Sequence, residues 1–222
     1  MSESEARIRV SRALRTVGII GVLLAIVTVI LSTLLYIQEH DFSLFTTYLS
    51  DIGNTAGWSQ TVFNSGMLIA APVRYLFLVL LVFQLGHAGA GKAFSRFTLI
   101  IGALVVAGSI GSAAIPYSLS LVLHKTSALA YFLGVVILQS LIAVQEWRCR
   151  LPAVLPISSL AVVAIYLIFA VLLSLVGKVE GITRNTPVIW EWLAFCSLMF
   201  WLIAHTTVLG NVRTKGDTMS PE

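Results

Sequence analysis

Asp51, Arg74, His124 and Glu191 are ionisable side chains set at or inside apolar stretches of the chain. Two carboxylates and an imidazole are the groups that general acid–base chemistry uses. A guanidinium sunk in apolar sequence holds a phosphate or a carboxylate, or pairs with an acidic side chain. Ser50 adds a hydroxyl beside Asp51. Hydroxyl, carboxylate and imidazole together are too common to define a triad without geometry. No H-E-x-x-H, G-x-S-x-G, P-loop or Gly-rich dinucleotide motif occurs in the sequence. Two cysteines without histidines at ligand spacing do not make a zinc site. No metal ion and no cofactor is expected.

The elements that position these residues follow from composition. The chain has 222 residues, 58% of them hydrophobic and 11% charged. Water-soluble domains carry about 25% charged residues, so this chain has no polar coat for an aqueous surface. The apolar residues fall into six runs, 13–36, 66–86, 97–117, 121–147, 153–177 and 188–210. Each is long enough to cross roughly 30 Å of hydrocarbon as a helix. The expectation is an all-α, polytopic integral membrane protein, a six-transmembrane-helix bundle. Residues 1–12 form a basic N-terminus, 13–210 the membrane domain and 211–222 a short tail. The first run exceeds the apolar core of a signal peptide and no A-x-A-like site follows it, so it reads as an uncleaved helix. Pro116 and residues 118–120 mark a tight hairpin between the third and fourth runs.

Charge sets the expected orientation. Arg7, Arg9, Arg12, Arg15, Lys92, Arg96, Arg148, Arg150, Arg213 and Lys215 fall on one side, against Lys125, Lys178 and Arg184 on the other. The first group is assigned to the cytoplasm together with both termini, at the plasma membrane. The formal charge of +4 reflects this topology. No basic stripe with interleaved aromatics points to nucleic acid. The long loop 37–65 is then external. It carries Glu39, Asp41 and Asp51, several aromatics, and no Lys or Arg. Cys149 and Cys196 lie at different depths, so no disulfide is expected between them.

Within this frame Arg74 lies about 12 Å below the outer start of its helix. It is expected to pair with Asp51 or Glu191, either as a structural lock or as a substrate contact. Pro72 sits two residues before it. Glu191 occupies the first turn of the last helix, where the helix dipole favours an anion, and Trp190 and Trp192 flank it as interface anchors. His205 lies about 21 Å further along that helix and cannot join Glu191. Ala107/Gly111 and Gly108/Ser112 are small-xxx-small pairs, read as close helix packing. Gln139 reads as a helix–helix hydrogen-bonding residue.

Leu49-Ser50-Asp51-Ile52-Gly53, followed by Phe63-Asn64, resembles the S-D-x-G loop of the DRAM-like (Frag/DRAM/Sfk) family of six-helix membrane proteins. His124 after the third helix and Glu191-Trp192 at the start of the sixth are similar to that family's histidine and its E-W or E-x pair. The resemblance runs over nearly the whole chain. Asn54-Thr55-Ala56-Gly57 stands where many eukaryotic members have Pro-Glu, which favours the microbial branch. Known members include lipid-remodelling proteins and modulators, so the resemblance implies fold better than activity.

The resulting expectation is a protein that handles a lipid, or a lipid-linked headgroup, at the outer leaflet. Catalysis and binding are both compatible with the residues. An enzymatic version uses His124 as acid/base with Asp51 or Glu191 orienting it. Arg74, Ser50, Gly53, Asn64 and Trp192 are the expected substrate contacts. The alternatives are a non-catalytic membrane scaffold or modulator, and a small transporter or channel; few polar residues lie at mid-bilayer depth, which weighs against transport. The expected partner is membrane lipid, and a homo-oligomer or a partner membrane protein is left open.

Overall fold

The computed structural model describes residues 3–117 and 119–210. Ser118, Arg213, Lys215 and the tail expected over 211–222 lie outside the described residues. The chain folds into α1 (Glu3–Tyr36), α2 (Leu49–Asn54), α3 (Trp58–His87), α4 (Lys92–Ala114), α5 (Leu121–Arg148), α6 (Val154–Leu175) and α7 (Val188–Gly210). All but α2 are long and apolar enough to cross a membrane. Large apolar side chains also cover the outside: Leu23, Ile30, Leu104, Leu133 and Val171 are each about half exposed. Such a surface is stable against lipid tails and not against water. The chain is a polytopic helical membrane protein.

The main packing runs α1 to α3, α3 to α4, α4 to α5, α5 to α6, α6 to α7, and α7 back to α1. The six long helices therefore close into a ring. Leu81, Leu85, Ile142, Leu155 and Val162 are fully buried within it. α4 and α5 approach closely. A Cβ on Gly108 would stand 2.7 Å from the Tyr131 nitrogen and 2.8 Å from the Ser127 oxygen, both backbone atoms. The small residues of α4 thus do what their spacing predicts.

Helix ends depart from the apolar runs in an instructive way. α3 begins at Trp58, so two of its turns and all of α2 lie in the stretch read as a loop. Ser59 and Asn64 are polar but face protein here, Ser59 being buried. Hydropathy marks the hydrocarbon layer, whereas a helix continues as long as its backbone bonds are made. The chain between α4 and α5 does turn tightly. The Ser120 hydroxyl caps α5 by accepting from the Leu123 N–H at 3.4 Å.

At the end of the bundle away from α2, three helices are joined by a buried polar network. Glu146 of α5 and His205 of α7 are fully buried and bonded through Oε1 and Nε2. The other Glu146 oxygen accepts from Ser159 Oγ of α6 at 3.1 Å, and Ser159 Oγ accepts from Trp201 Nε1 at 2.8 Å. His205 Nδ1 lies 2.8 Å from the Trp201 carbonyl. A carbonyl only accepts, so Nδ1 carries a proton. One further proton is then shared between Nε2 and Oε1, and the pair is neutral as a whole. Every member has a partner, which a polar group in hydrocarbon requires. Removing one partner from such a pair costs about 3–5 kcal/mol. Glu146→Leu is therefore expected to lower the unfolding temperature in detergent sharply. The double variant Glu146→Leu/His205→Leu is expected to lose clearly less than the two single losses added. Strict additivity in that cycle would show that the two side chains do not act as a pair.

Candidate functional site

The site is built around α2, which covers one end of the helix ring; this is the roof end below. Tyr48 precedes the helix with extended backbone, and Asp51 Oδ2 accepts from the Tyr48 N–H at 3.0 Å. The buried face carries Leu49, Ile52 and Gly53. Gly53 is required by contact, since a Cβ there would lie 2.6 Å from the Phe63 ring of α3. Asn64 donates from Nδ2 to the Gly53 carbonyl at 2.9 Å. Glu191 of α7 accepts from the Ser50 N–H at 3.3 Å. Asn54 Oδ1 accepts from the Tyr117 N–H at 3.3 Å, beside the α4–α5 turn. The short helix is thus tied to three other parts of the ring.

Its outer side is held by Arg184, from the segment between α6 and α7. Arg184 Nη2 reaches both Asp51 oxygens, at 2.7 and 2.8 Å, and Nη1 donates to the Thr46 carbonyl at 3.2 Å. The guanidinium lies 5.0 Å from the centre of the Tyr48 ring. Tyr48 in turn donates to the Arg184 carbonyl at 2.5 Å. Burial, with the Glu191 and Asp51 charges adding to it and Arg184 opposing, pushes the Tyr48 hydroxyl up to about 12. It therefore stays a donor. Trp192 donates from Nε1 to the Thr47 carbonyl at 3.0 Å and packs edge-on against Phe42. It fastens the 37–48 segment to α7.

Beneath the roof, between the helices of the ring, lies a partly open cavity of about 230 Å³. Ser50, Gly53 and Asn54 of α2 line its top, with Asn64, His124 and Glu191. Along α7 it runs from Glu191 to Leu202, about 16 Å of helix axis. Apolar residues of α3, α4, α5 and α7 form most of its wall. Ser112 adds a hydroxyl near the α4–α5 turn, and Arg74, Ser109 and Gln139 add polar groups deeper in.

The structure brings Ser50, Gly53, Asn64, Arg74, His124 and Glu191 to one cavity. Asp51 and Trp192 do not line it; they hold the roof. Arg74 does not have the carboxylate partner expected for it. Its Nη2 donates to Ser109 Oγ at 2.9 Å and to the Met67 carbonyl at 3.4 Å. Among the described residues the ion pairs are Arg184–Asp51 and Glu146–His205. Asp51 is engaged by Arg184, and Glu191 sits against α2, so neither reaches Arg74. His124 is buried, and its Nδ1 lies 2.7 Å from the Ile115 carbonyl. The proton on that bond must come from Nδ1, which leaves Nε2 as the ring atom able to accept a proton. Gln139 Oε1 is buried without a partner, contrary to a helix–helix bond from that oxygen.

Sequence reasoning missed Asn54, Ser109 and Ser112 as lining residues, and Glu146 altogether. Ser109 and Ser112 were visible as small residues in an apolar run, but small size and hydrogen bonding leave the same mark in a sequence. Glu146 stands next to Trp147-Arg148 at a run's end, where a charge looks interfacial.

Fold and site define a multi-pass helical membrane protein with a roofed cavity inside its helix ring. The chain belongs to the family described as Protein of unknown function (DUF998), whose model matches residues 19–208, from α1 into α7. No curated protein and no solved structure matches the chain.

The roof contacts differ in worth. An exposed ion pair contributes about 0.2–1 kcal/mol, and loss of a carboxylate cap costs roughly 1 kcal/mol more. Asp51→Ala removes both, whereas Arg184→Gln removes the pair together with the donation to the Thr46 carbonyl and the contact with the Tyr48 ring. Thermal unfolding in detergent is expected to show a further loss when Asp51→Ala is added to Arg184→Gln, where the pair is already gone; no further loss would mean that the cap contributes nothing.

Proposed function

We propose that this protein binds a lipid, or a lipid-linked headgroup, in the roofed cavity, drawing it from the leaflet next to α2. The observation that carries this reading is the character of the cavity. Its wall is largely apolar, yet it holds a guanidinium with no carboxylate partner among the described residues. An ionisable group at such depth is costly and marks a functional site by default. A lipid meets both features, with chain against the apolar wall and headgroup at the polar end. The motif residues that resemble the DRAM-like family support the same reading. Ser50, Gly53, His124 and Glu191 are lining residues, and Asp51 and Trp192 hold the roof above them. In a catalytic version His124 Nε2 takes up a proton from a bound hydroxyl or water, and Arg74 holds the anionic group in place.

The basic residues further support an orientation with α2 outside the cell and both termini in the cytoplasm, at the plasma membrane. Arg7, Arg9, Arg12, Arg15, Lys92, Arg96, Arg148 and Arg150 fall at the end opposite α2. Single cysteines introduced at Thr55 or Asn185 are expected to react with an impermeant maleimide in intact cells, and one at Lys92 to be spared. Reaction at Lys92 alone would reverse the orientation.

The binding reading is tested by purification in a maltoside detergent and mass spectrometry of retained lipid. Wild-type protein is expected to retain one lipid class. Arg74→Gln is expected to weaken retention about tenfold or more, the scale of a charge-assisted hydrogen bond. His124→Ala is expected to fold and to leave retention closer to wild type, because its proposed work is proton transfer. Equal retention by wild type and Arg74→Gln, with both folded, would overturn the reading.

A further inference from the structure

The charges in the cavity are ordered along its axis. Glu191 sits at the level of α2, since its carboxylate accepts from the Ser50 N–H. The Arg74 guanidinium lies deeper. Its side chain runs back along α3 as far as the Met67 carbonyl. Met67 is three residues beyond Asn64, the residue that touches α2, so the guanidinium stands about one helical turn, roughly 5 Å, below the roof. Glu191 and Arg74 are not within ion-pair distance of each other. Beyond Arg74 the wall is formed mainly by Phe77, Leu78, Val105, Leu138 and Leu202, with Gln139 as a polar residue among them. From the roof inwards the cavity therefore presents a carboxylate, a guanidinium and a largely apolar chamber.

We infer that the ligand is an amphiphile headed by an aminoethyl phosphate, bound with its ammonium at Glu191, its phosphate at Arg74 and its chain in the apolar chamber. This rests on the lipid reading above and names the headgroup class. An aminoethyl phosphate lipid carries a positive charge outermost, a negative charge two carbons further in, and then hydrocarbon. That order is the complement of the cavity's order. The spacing agrees as well, because two methylenes separate the charges by about the rise of one helical turn. Charge balance points the same way. Glu191 and Arg74 cancel formally, so a zwitterion leaves the filled cavity neutral, whereas a purely anionic lipid adds a net charge inside a low-dielectric bundle. A primary ammonium also offers N–H donors to Glu191 and to the Asn64 and Asn54 side-chain oxygens at the roof. A quaternary ammonium offers none. The Arg74 donors not used by Ser109 and Met67 are available to phosphate oxygens, the geometry that guanidinium favours.

The experiment compares lyso-lipids of one chain length, titrated into detergent-purified wild-type protein and read by native mass spectrometry. Lysophosphatidylethanolamine is expected to bind about tenfold more tightly than lysophosphatidylglycerol or lysophosphatidylcholine. Glu191→Gln, whose amide oxygen can still accept from Ser50, is expected to erase the preference over lysophosphatidylglycerol. Arg74→Gln is expected to weaken all three. Free O-phosphoethanolamine at the same concentration is expected not to displace the lyso-lipid; displacement would assign the site to a soluble aminoethyl phosphate and overturn the lipid source. Equal wild-type affinity for the ethanolamine and glycerol headgroups would overturn the charge-order inference and leave the lipid reading standing. That comparison needs no variant to fold. Failure of every lyso-lipid to bind would overturn both.

Discussion

Hydrocarbon supplies no hydrogen-bond partners, and that constraint organises this protein. Each polar group inside the bundle must find its partner in the chain or in something the chain holds. The Glu146–Ser159–Trp201–His205 network meets the requirement completely. Its charges cancel and its donors match its acceptors, so it joins α5, α6 and α7 without asking for a ligand. Arg74 and Gln139 do not meet it. The guanidinium has a hydroxyl and a carbonyl but no anion, and the Gln139 oxygen has no partner among the described residues. Both line the cavity. The charged network at the far end is thus complete in itself, whereas Arg74 and the Gln139 oxygen face the cavity.

The cavity is itself a consequence of packing. When six helices close into a ring, side chains must reach the centre from all sides or leave a void. At the far end Leu81, Leu85, Ile142 and Leu155 fill it. Towards α2 the close approach of α4 and α5 depends on small residues, Gly108 and Gly111 against Ser127 and Tyr131. Small residues bring backbones together but contribute little volume to the interior, and there the cavity opens. The roof then becomes necessary. α2 is too short to stand alone as a helix, and its position comes from contacts at both faces, Asp51 with Arg184 outside and Ser50 with Glu191 beneath.

This arrangement changes the meaning of the motif around Ser50-Asp51. Read as chemistry, serine, aspartate and histidine invite a catalytic grouping. In the folded protein the aspartate works on the outer surface, capping α2 and holding Arg184, while the serine and histidine face inwards. One residue of separation on a short helix turns adjacent side chains by about 100°, so neighbours in sequence serve opposite faces.

The sequence by itself determined the class of the protein. Six apolar runs, the polar interruptions between them and the small residues of α4 are local properties, and the bilayer reads them locally: a run of sufficient length spans, whatever its neighbours do. It also marked Arg74, His124 and Glu191, because an ionisable group in apolar sequence is conspicuous without any structure. Only the tertiary structure decided what each of these meets. Asp51 goes to Arg184, 133 positions away in the chain. Arg74 goes to Ser109 instead of a carboxylate, and Glu146 finds His205 from a position that looked interfacial. Those pairings follow from how α7 closes the ring on α1 and how α2 is laid across it. Side-chain partners across a ring are set by helix rotation and depth, which residue type and spacing along one helix do not encode.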